Sequence, residues 1–125
     1  MKFQTHQIEG RGRGKFLGFP TINMEIPKDL DLAEGIHAVW VTIEHETFKG
    51  AMHYGPIPTF SEIRRSLEVF LLDITEKKIE MLNTSVIKIT PVKRIREVRA
   101  FSSKEELIAQ MTRDVARVRL AFPAR

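Results

Sequence analysis

A chain of 125 residues, 42% hydrophobic and 29% charged, carries enough apolar material for one core and has the balance of an ordinary soluble domain. It holds no cysteine, which excludes disulfides and thiolate metal sites, and no stretch approaches the roughly 20 apolar residues of a membrane span. The net charge of +4 is uneven: residues 83–125 carry 10 Lys and Arg against 4 Asp and Glu. The expectation is one domain over residues 1–125, cytoplasmic, with no signal-peptide run at its start.

The first informative stretch is residues 10–23, GRGRGKFLGFPTIN. Its glycines let backbone N–H groups approach an anion, and Arg11, Arg13 and Lys15 supply charge that suits phosphate. Pro20 fixes the backbone just before Thr21, and Thr21 and Asn23 offer neutral oxygens two residues apart, suited to Mg²⁺ when substrate phosphates complete its ligands. The run matches neither a Walker A loop nor a dinucleotide fingerprint. Alone such a run is more often a flexible basic loop; the apolar turn that closes it favours a loop for a metal-bound nucleotide.

The middle of the chain is β-rich. Residues 36–43 are dense in β-branched and aromatic side chains, and a polar turn at 44–47 leads into a partner over 48–54. Residues 54–60, with two prolines and a glycine, predict an irregular corner rather than a ladder. Residues 67–73 predict a third strand. Both of its faces are apolar apart from Glu68, which is either a base held in partly apolar surroundings or a surface glutamate at a strand end. Residues 86–98 are strand-like, with Pro91 marking an edge, a bulge or a break. Short strands without intervening helices predict a small antiparallel barrel or sandwich.

The end differs. Ser102 to Glu105 and Ser103 to Glu106 are nested capping boxes. Leu107, Ile108, Met111, Val115 and Val118 recur at helical spacing, with Arg113, Asp114 and Arg117 between them, so an amphipathic helix should run to about Phe122. The basic excess here could attract nucleic acid. Its cations, however, alternate with apolar residues in a folded pattern, and Phe101 and Phe122 are the only aromatics after Phe70, so nucleic acid is not the expected partner.

In order, the Gly-rich loop, Leu-Gly-Phe-Pro-Thr-x-Asn, Gly-x-x-Pro-Thr-Phe, Leu-Glu-Val-x-Leu-Leu-Asp and Phe-Ser-Ser-x-Glu-Glu-Leu resemble the riboflavin kinase family, from about Gly10 to about Asp114. The resemblance implies a mainly β fold, a six-stranded Greek-key antiparallel barrel with a C-terminal α-helix. It also implies transfer of the ATP γ-phosphate to the riboflavin 5′-hydroxyl, giving FMN. Carried onto this chain, Glu68 would be the catalytic base. Thr21 and Asn23 would hold Mg²⁺ and the phosphates, Gly14 and Lys15 would lie in the flap over the nucleotide, and Arg96 and Phe101 would lie near the flavin. Riboflavin and ATP would be the small-molecule partners, with no membrane.

The family's bifunctional members carry an adenylyltransferase half that this sequence lacks, so FMN rather than FAD is the expected product and a separate FMN adenylyltransferase is a candidate partner. The chain departs from the family's usual Asn-Ile-Gly at His53, Tyr54 and Gly55, and from its Leu-Tyr-Gly at Leu82, Asn83 and Thr84. The alternative those departures motivate is a weak or inactive flavin- or nucleotide-binding module. Tyr54 would then either replace the lost aromatic contact at the ligands or anchor its loop.

Overall fold

A computed structural model describes residues 1–10, 18–57 and 62–123. Among the described residues the chain forms β1 (Phe3–Thr5), β2 (Ile22–Met24), β3 (Gly35–Ile43), β4 (Glu46–Ile57), β5 (Glu62–Leu71), helix α1 (Glu76–Met81), β6 (Ile87–Arg96) and helix α2 (Lys104–Leu120). The strands make one antiparallel sheet in the order β1-β6-β3-β4-β5-β2. The sheet curls until its two edges meet: Ile8 N–H donates to Asn23 O at 2.8 Å and Glu25 N–H to His6 O at 3.0 Å. The Thr5 hydroxyl donates to the Glu25 carbonyl at the same seam. Two edge strands of three residues each would otherwise expose unpaired backbone groups.

Alternation along the strands builds two apolar layers. The inner layer, inside the curl, includes Val41, Met52, Tyr54, Leu67, Val69 and Ile89. The outer layer, from Ala38, Trp40, Ala51, Phe70 and Ile95, is covered by Val115 and Val118 of α2 and by Phe122. Trp40 meets Phe122 edge-on at 4.6 Å between ring centroids. Each large side chain buried in these layers contributes about 1.5–3 kcal/mol against exposure, before entropy is counted. The two layers explain why residues 67–72 are apolar on both faces apart from Glu68: Leu67, Val69 and Leu71 line the interior, while Phe70 and Leu72 belong to the outer layer.

Several boundaries differ from the sequence reading. β4 continues past Tyr54, pairing Gly55 with Ser66 and Ile57 with Glu62 around an irregularity, so residues 54–57 are strand rather than corner; the rest of the expected corner, residues 58–60, lies outside the described residues. β5 ends at Leu71, and Asp73 stands beyond it with φ 59° and an ion pair to Arg119. Residues 87–96 form one strand, bulged where Ala38 pairs with Lys93 but Val39 with Pro91. Pro91 lies past the last β1 pairing, where β6 has a partner on one side only.

A helix does intervene between strands. α1 is capped by Thr75, whose hydroxyl accepts from Lys78 N–H at 3.1 Å, and is tied to β4 by Lys78 and Glu46. At α2 the second capping box is the one used. Ser103 accepts from Glu106 N–H, while the Glu106 carboxylate turns back to the amide and hydroxyl of Ser102. Gly35 opens β3 with φ 147°, where a Cβ would stand 2.3 Å from the Arg96 carbonyl oxygen, so only glycine lets this strand start against the end of β6.

Candidate functional site

Five strands place one residue each in a single row across the outer face. The register pairs Asn23 with Glu68, Glu68 with His53, His53 with Ile36, and Ile36 with Arg96. Partners opposed across antiparallel strands lie within about 4.5–5.5 Å at Cβ, so this row brings an amide, a carboxylate and an imidazole side by side. Thr21 joins them from just ahead of β2, its approach steadied by Phe19 against Phe70, 5.4 Å between centroids. The sequence points to Thr21 and Asn23 in one motif and to Glu68 in another; the β2–β5 ladder brings the two motifs together.

The carboxylate of Glu68 is half-buried and accepts two hydroxyl hydrogen bonds: Thr21 Oγ1 donates to Oε1 at 3.0 Å and Ser66 Oγ to Oε2 at 3.2 Å. Among the described residues no Lys, Arg or His lies within ion-pairing distance of it. Because the Thr21 proton points at Glu68, the lone pairs of that hydroxyl remain available to a cation. Asn23 is constrained from its other side: a Cβ on Gly10 would fall 1.8 Å from Asn23 Nδ2, so the chain at Gly10 lies directly on this side chain. Gly14 and Lys15, expected over the nucleotide, lie outside the described residues.

His53, noted in the sequence only as a departure, is part of the cluster. Its Nε2 lies 3.1 Å from the Pro56 carbonyl oxygen, and a carbonyl only accepts, so Nε2 carries the hydrogen and Nδ1 is bare. Nδ1 lies 3.4 Å from Ser66 Oγ. Burial holds the imidazole pKa below its ordinary 6.5, against an opposing pull from the Glu68 charge and the Pro56 carbonyl, so the ring is neutral at pH 7. Ser66 was missed, although it shares a face with Glu68 two residues on. Tyr54, by contrast, points to the interior and is 4% exposed, which makes it core rather than loop anchor or surface platform.

At the far end of the row Arg96 is held by α2. Its Nε donates to Asp114 Oδ1 at 2.9 Å and its Nη2 to Oδ2 at 2.7 Å, while Nη1 bonds the Glu97 carbonyl at 2.9 Å. Gln110 Nε2 donates to Asp114 Oδ1, and both Arg99 and Arg113 donate to Gln110 Oε1. The Phe101 ring lies beside this network, with the guanidinium carbons of Arg96 and Arg99 at 5.6 and 5.2 Å from its centroid. A cleft of about 480 Å³ opens here, bordered by Arg99, Phe101, Glu106 and Arg113. The two residues expected near a flavin, Arg96 and Phe101, are thus adjacent. Asp114 and Gln110 occupy the buried stripe with Leu107 and Val118, a position that their polarity concealed.

A curled antiparallel sheet with a C-terminal helix has clear counterparts among known proteins. The riboflavin kinase (flavokinase) family model matches residues 1–122. The chain is 33% identical over 116 residues to the RNA-binding riboflavin kinase RibR of Bacillus subtilis, covering 92% of this chain and 48% of that protein. To the bifunctional riboflavin kinase/FMN adenylyltransferase of Escherichia coli K12 it is also 33% identical over 116 residues, covering 92% of this chain and 36% of that one. This chain belongs to the riboflavin kinase family. It spans about half or less of the length of these relatives.

A crystal structure of a macrolide-efflux protein from Streptococcus pneumoniae superposes with a TM-score of 0.78 over 94% of this chain and 38% of that one. At 23% identity that likeness speaks to the fold alone. No helix among the described residues is long and apolar enough to cross a membrane.

Proposed function

We propose that residues 1–125 act as a riboflavin kinase domain, transferring the γ-phosphoryl group of ATP to the 5′-hydroxyl of riboflavin to give FMN and ADP. The observation that carries this reading is the Glu68 carboxylate, held by Thr21 and set opposite Asn23 in the register. A primary alcohol is a poor nucleophile at neutral pH, so a carboxylate in hydrogen-bond reach of it serves to accept the hydroxyl proton as the new P–O bond forms. Two neutral donors, Thr21 and Ser66, keep Glu68 oriented, and no cation among the described residues pairs with it. The rest of phosphoryl transfer is positioning and charge neutralisation, and no covalent intermediate is required.

The donor set fits Mg·ATP: the Thr21 hydroxyl and the Asn23 amide supply hard oxygens, and Gly10 fixes the amide by its close approach. The bound cation would draw charge from the phosphates. Glu68 is left as the proton acceptor, and Thr21 sets which of its oxygens faces the alcohol. Arg96 and Phe101 sit at the opposite end of the row, a planar cation and an aromatic face suited to a flavin ring.

The test is direct. Purified protein incubated with riboflavin, ATP and Mg²⁺ should give FMN and ADP in equal amounts. Binding of riboflavin and ATP without FMN would replace this reading with that of an inactive binding module. Products formed from either substrate alone would exclude the proposed transfer.

A further inference from the structure

Ser66 stands between two acceptors with one proton to give. Its Oγ lies 3.2 Å from Glu68 Oε2 and 3.4 Å from His53 Nδ1. An ionised carboxylate only accepts, and on a neutral His53 ring Nδ1 only accepts, because the single ring hydrogen sits on Nε2 toward the Pro56 carbonyl. The chain Glu68–Ser66–His53 is therefore one proton short before reaction. Adding one proton at Glu68 completes it: Glu68 Oε2–H donates to Ser66 Oγ, and Ser66 O–H turns to His53 Nδ1.

From this geometry we infer that Ser66 and His53 form a proton relay that drains the catalytic carboxylate. The inference rests on the proposed function, with Glu68 as base. The balance is simple. The riboflavin hydroxyl loses its proton to Glu68 as its oxygen bonds to phosphorus and the ADP oxygen leaves. The Glu68 proton passes to Ser66 Oγ while the Ser66 proton passes to His53 Nδ1, which leaves a carboxylate, an unchanged hydroxyl and an imidazolium. The imidazolium gives its proton to solvent at the end of the cycle.

The surroundings of His53 suit a transient rather than a permanent charge. Glu68 on β5 and Glu34 ahead of β3 favour the imidazolium, whereas burial and Arg96 on β6 oppose it. Ser66 and His53 are positioning residues in this scheme, since each acts on the substrate through Glu68.

Single-turnover FMN formation in mixtures of H₂O and D₂O tests the relay, with Ser66→Ala and His53→Gln as probes and thermal melts as the control for folding. The wild-type rate should depend on deuterium fraction along a curve, as expected when more than one proton moves. Both variants should give a straight line, a phosphoryl-transfer rate lower by about tenfold and an unchanged riboflavin KM. Ser66→Thr, which keeps the hydroxyl, should restore the curve.

Wild-type rate and curvature in either folded variant would overturn the relay. Glu68→Gln run alongside separates the two levels: a rate near wild type there would overturn the base assignment itself. A slow Glu68→Gln with unaffected Ser66 and His53 variants would overturn the relay alone.

Discussion

The cluster around Glu68 and the cluster around Asp114 lie on the outer face of the same sheet and are held in contrasting ways. Asp114 is 4% exposed and fully committed: three bonds from Arg96, one from Gln110, and Gln110 in turn held by two more arginines. Glu68 is half-buried and, among the described residues, receives only hydroxyls, with a neutral imidazole as its neighbour in the register. A carboxylate locked to a guanidinium cannot take a proton without breaking a strong pair, whereas one held by hydroxyls can. Under the proposed function, the Asp114 end of the row would fix geometry and the Glu68 end would handle protons.

The largest effect should come at the proton-handling end. Glu68→Gln keeps the size and the acceptor oxygen, so the fold and most ligand binding should survive while turnover falls by roughly 10²-fold or more. Steady-state FMN formation beside a thermal melt checks this.

At the other end the loss should appear as stability. Asp114→Ala leaves Arg96 desolvated without its partner and Gln110 without its acceptor, at a cost of about 3 kcal/mol. Urea unfolding should show a lower midpoint with an unchanged slope. A variant with wild-type stability would dissolve the distinction between the two clusters.

Gly10→Ala sharpens the picture of the Asn23 side. The added methyl can be accommodated only by moving the Asn23 side chain, the mobile end of the contact. Stability should change little, while KM for Mg·ATP rises several-fold with a smaller effect on KM for riboflavin. Equal changes in both would argue for a general disturbance of the sheet.

The smallest effect is a pH dependence away from both clusters. His37 is 3% exposed, with its Nε2 2.7 Å from the Ala33 carbonyl oxygen. Burial, with some help from Arg94, lowers its pKa below the ordinary 6.5. A depressed folded-state pKa means that the unfolded chain binds the proton more readily. The stabilising contribution is therefore complete above 6.5 and is lost as pH falls towards the folded-state value. Unfolding free energies measured at about pH 7.5 and about pH 5.5 should differ more in wild type than in His37→Gln. His53 shifts in the same direction and remains in both proteins.

Long elements were legible because periodicity accumulates over many residues. Residues 36–43 fall within β3, and α2 starts at the second of the two capping boxes. β1 and β2, with three residues each, offer no period to detect, and α1 has six residues with none of them buried. The site divided in a similar way. Thr21, Asn23 and Glu68 stood out because polar residues at those points interrupt apolar or turn segments. Ser66, His53, Gln110 and Asp114 did not, because their roles depend on register between strands and on which helical stripe is covered. Gln110 and Asp114 lie on the buried stripe of α2 as a polar pair, and a hydrophobic pattern cannot reveal a core position filled by a satisfied charge.

Rapid-quench measurement of FMN formation on Glu68→Gln and Asp114→Asn, with unfolding free energies measured on the same preparations, tests the division of labour most directly. Glu68→Gln should be as stable as wild type and at least about 10²-fold slower in phosphoryl transfer. Asp114→Asn should be less stable but, where it remains folded, should transfer phosphate at a rate much closer to wild type. A Glu68→Gln protein that makes FMN at the wild-type rate would contradict this division.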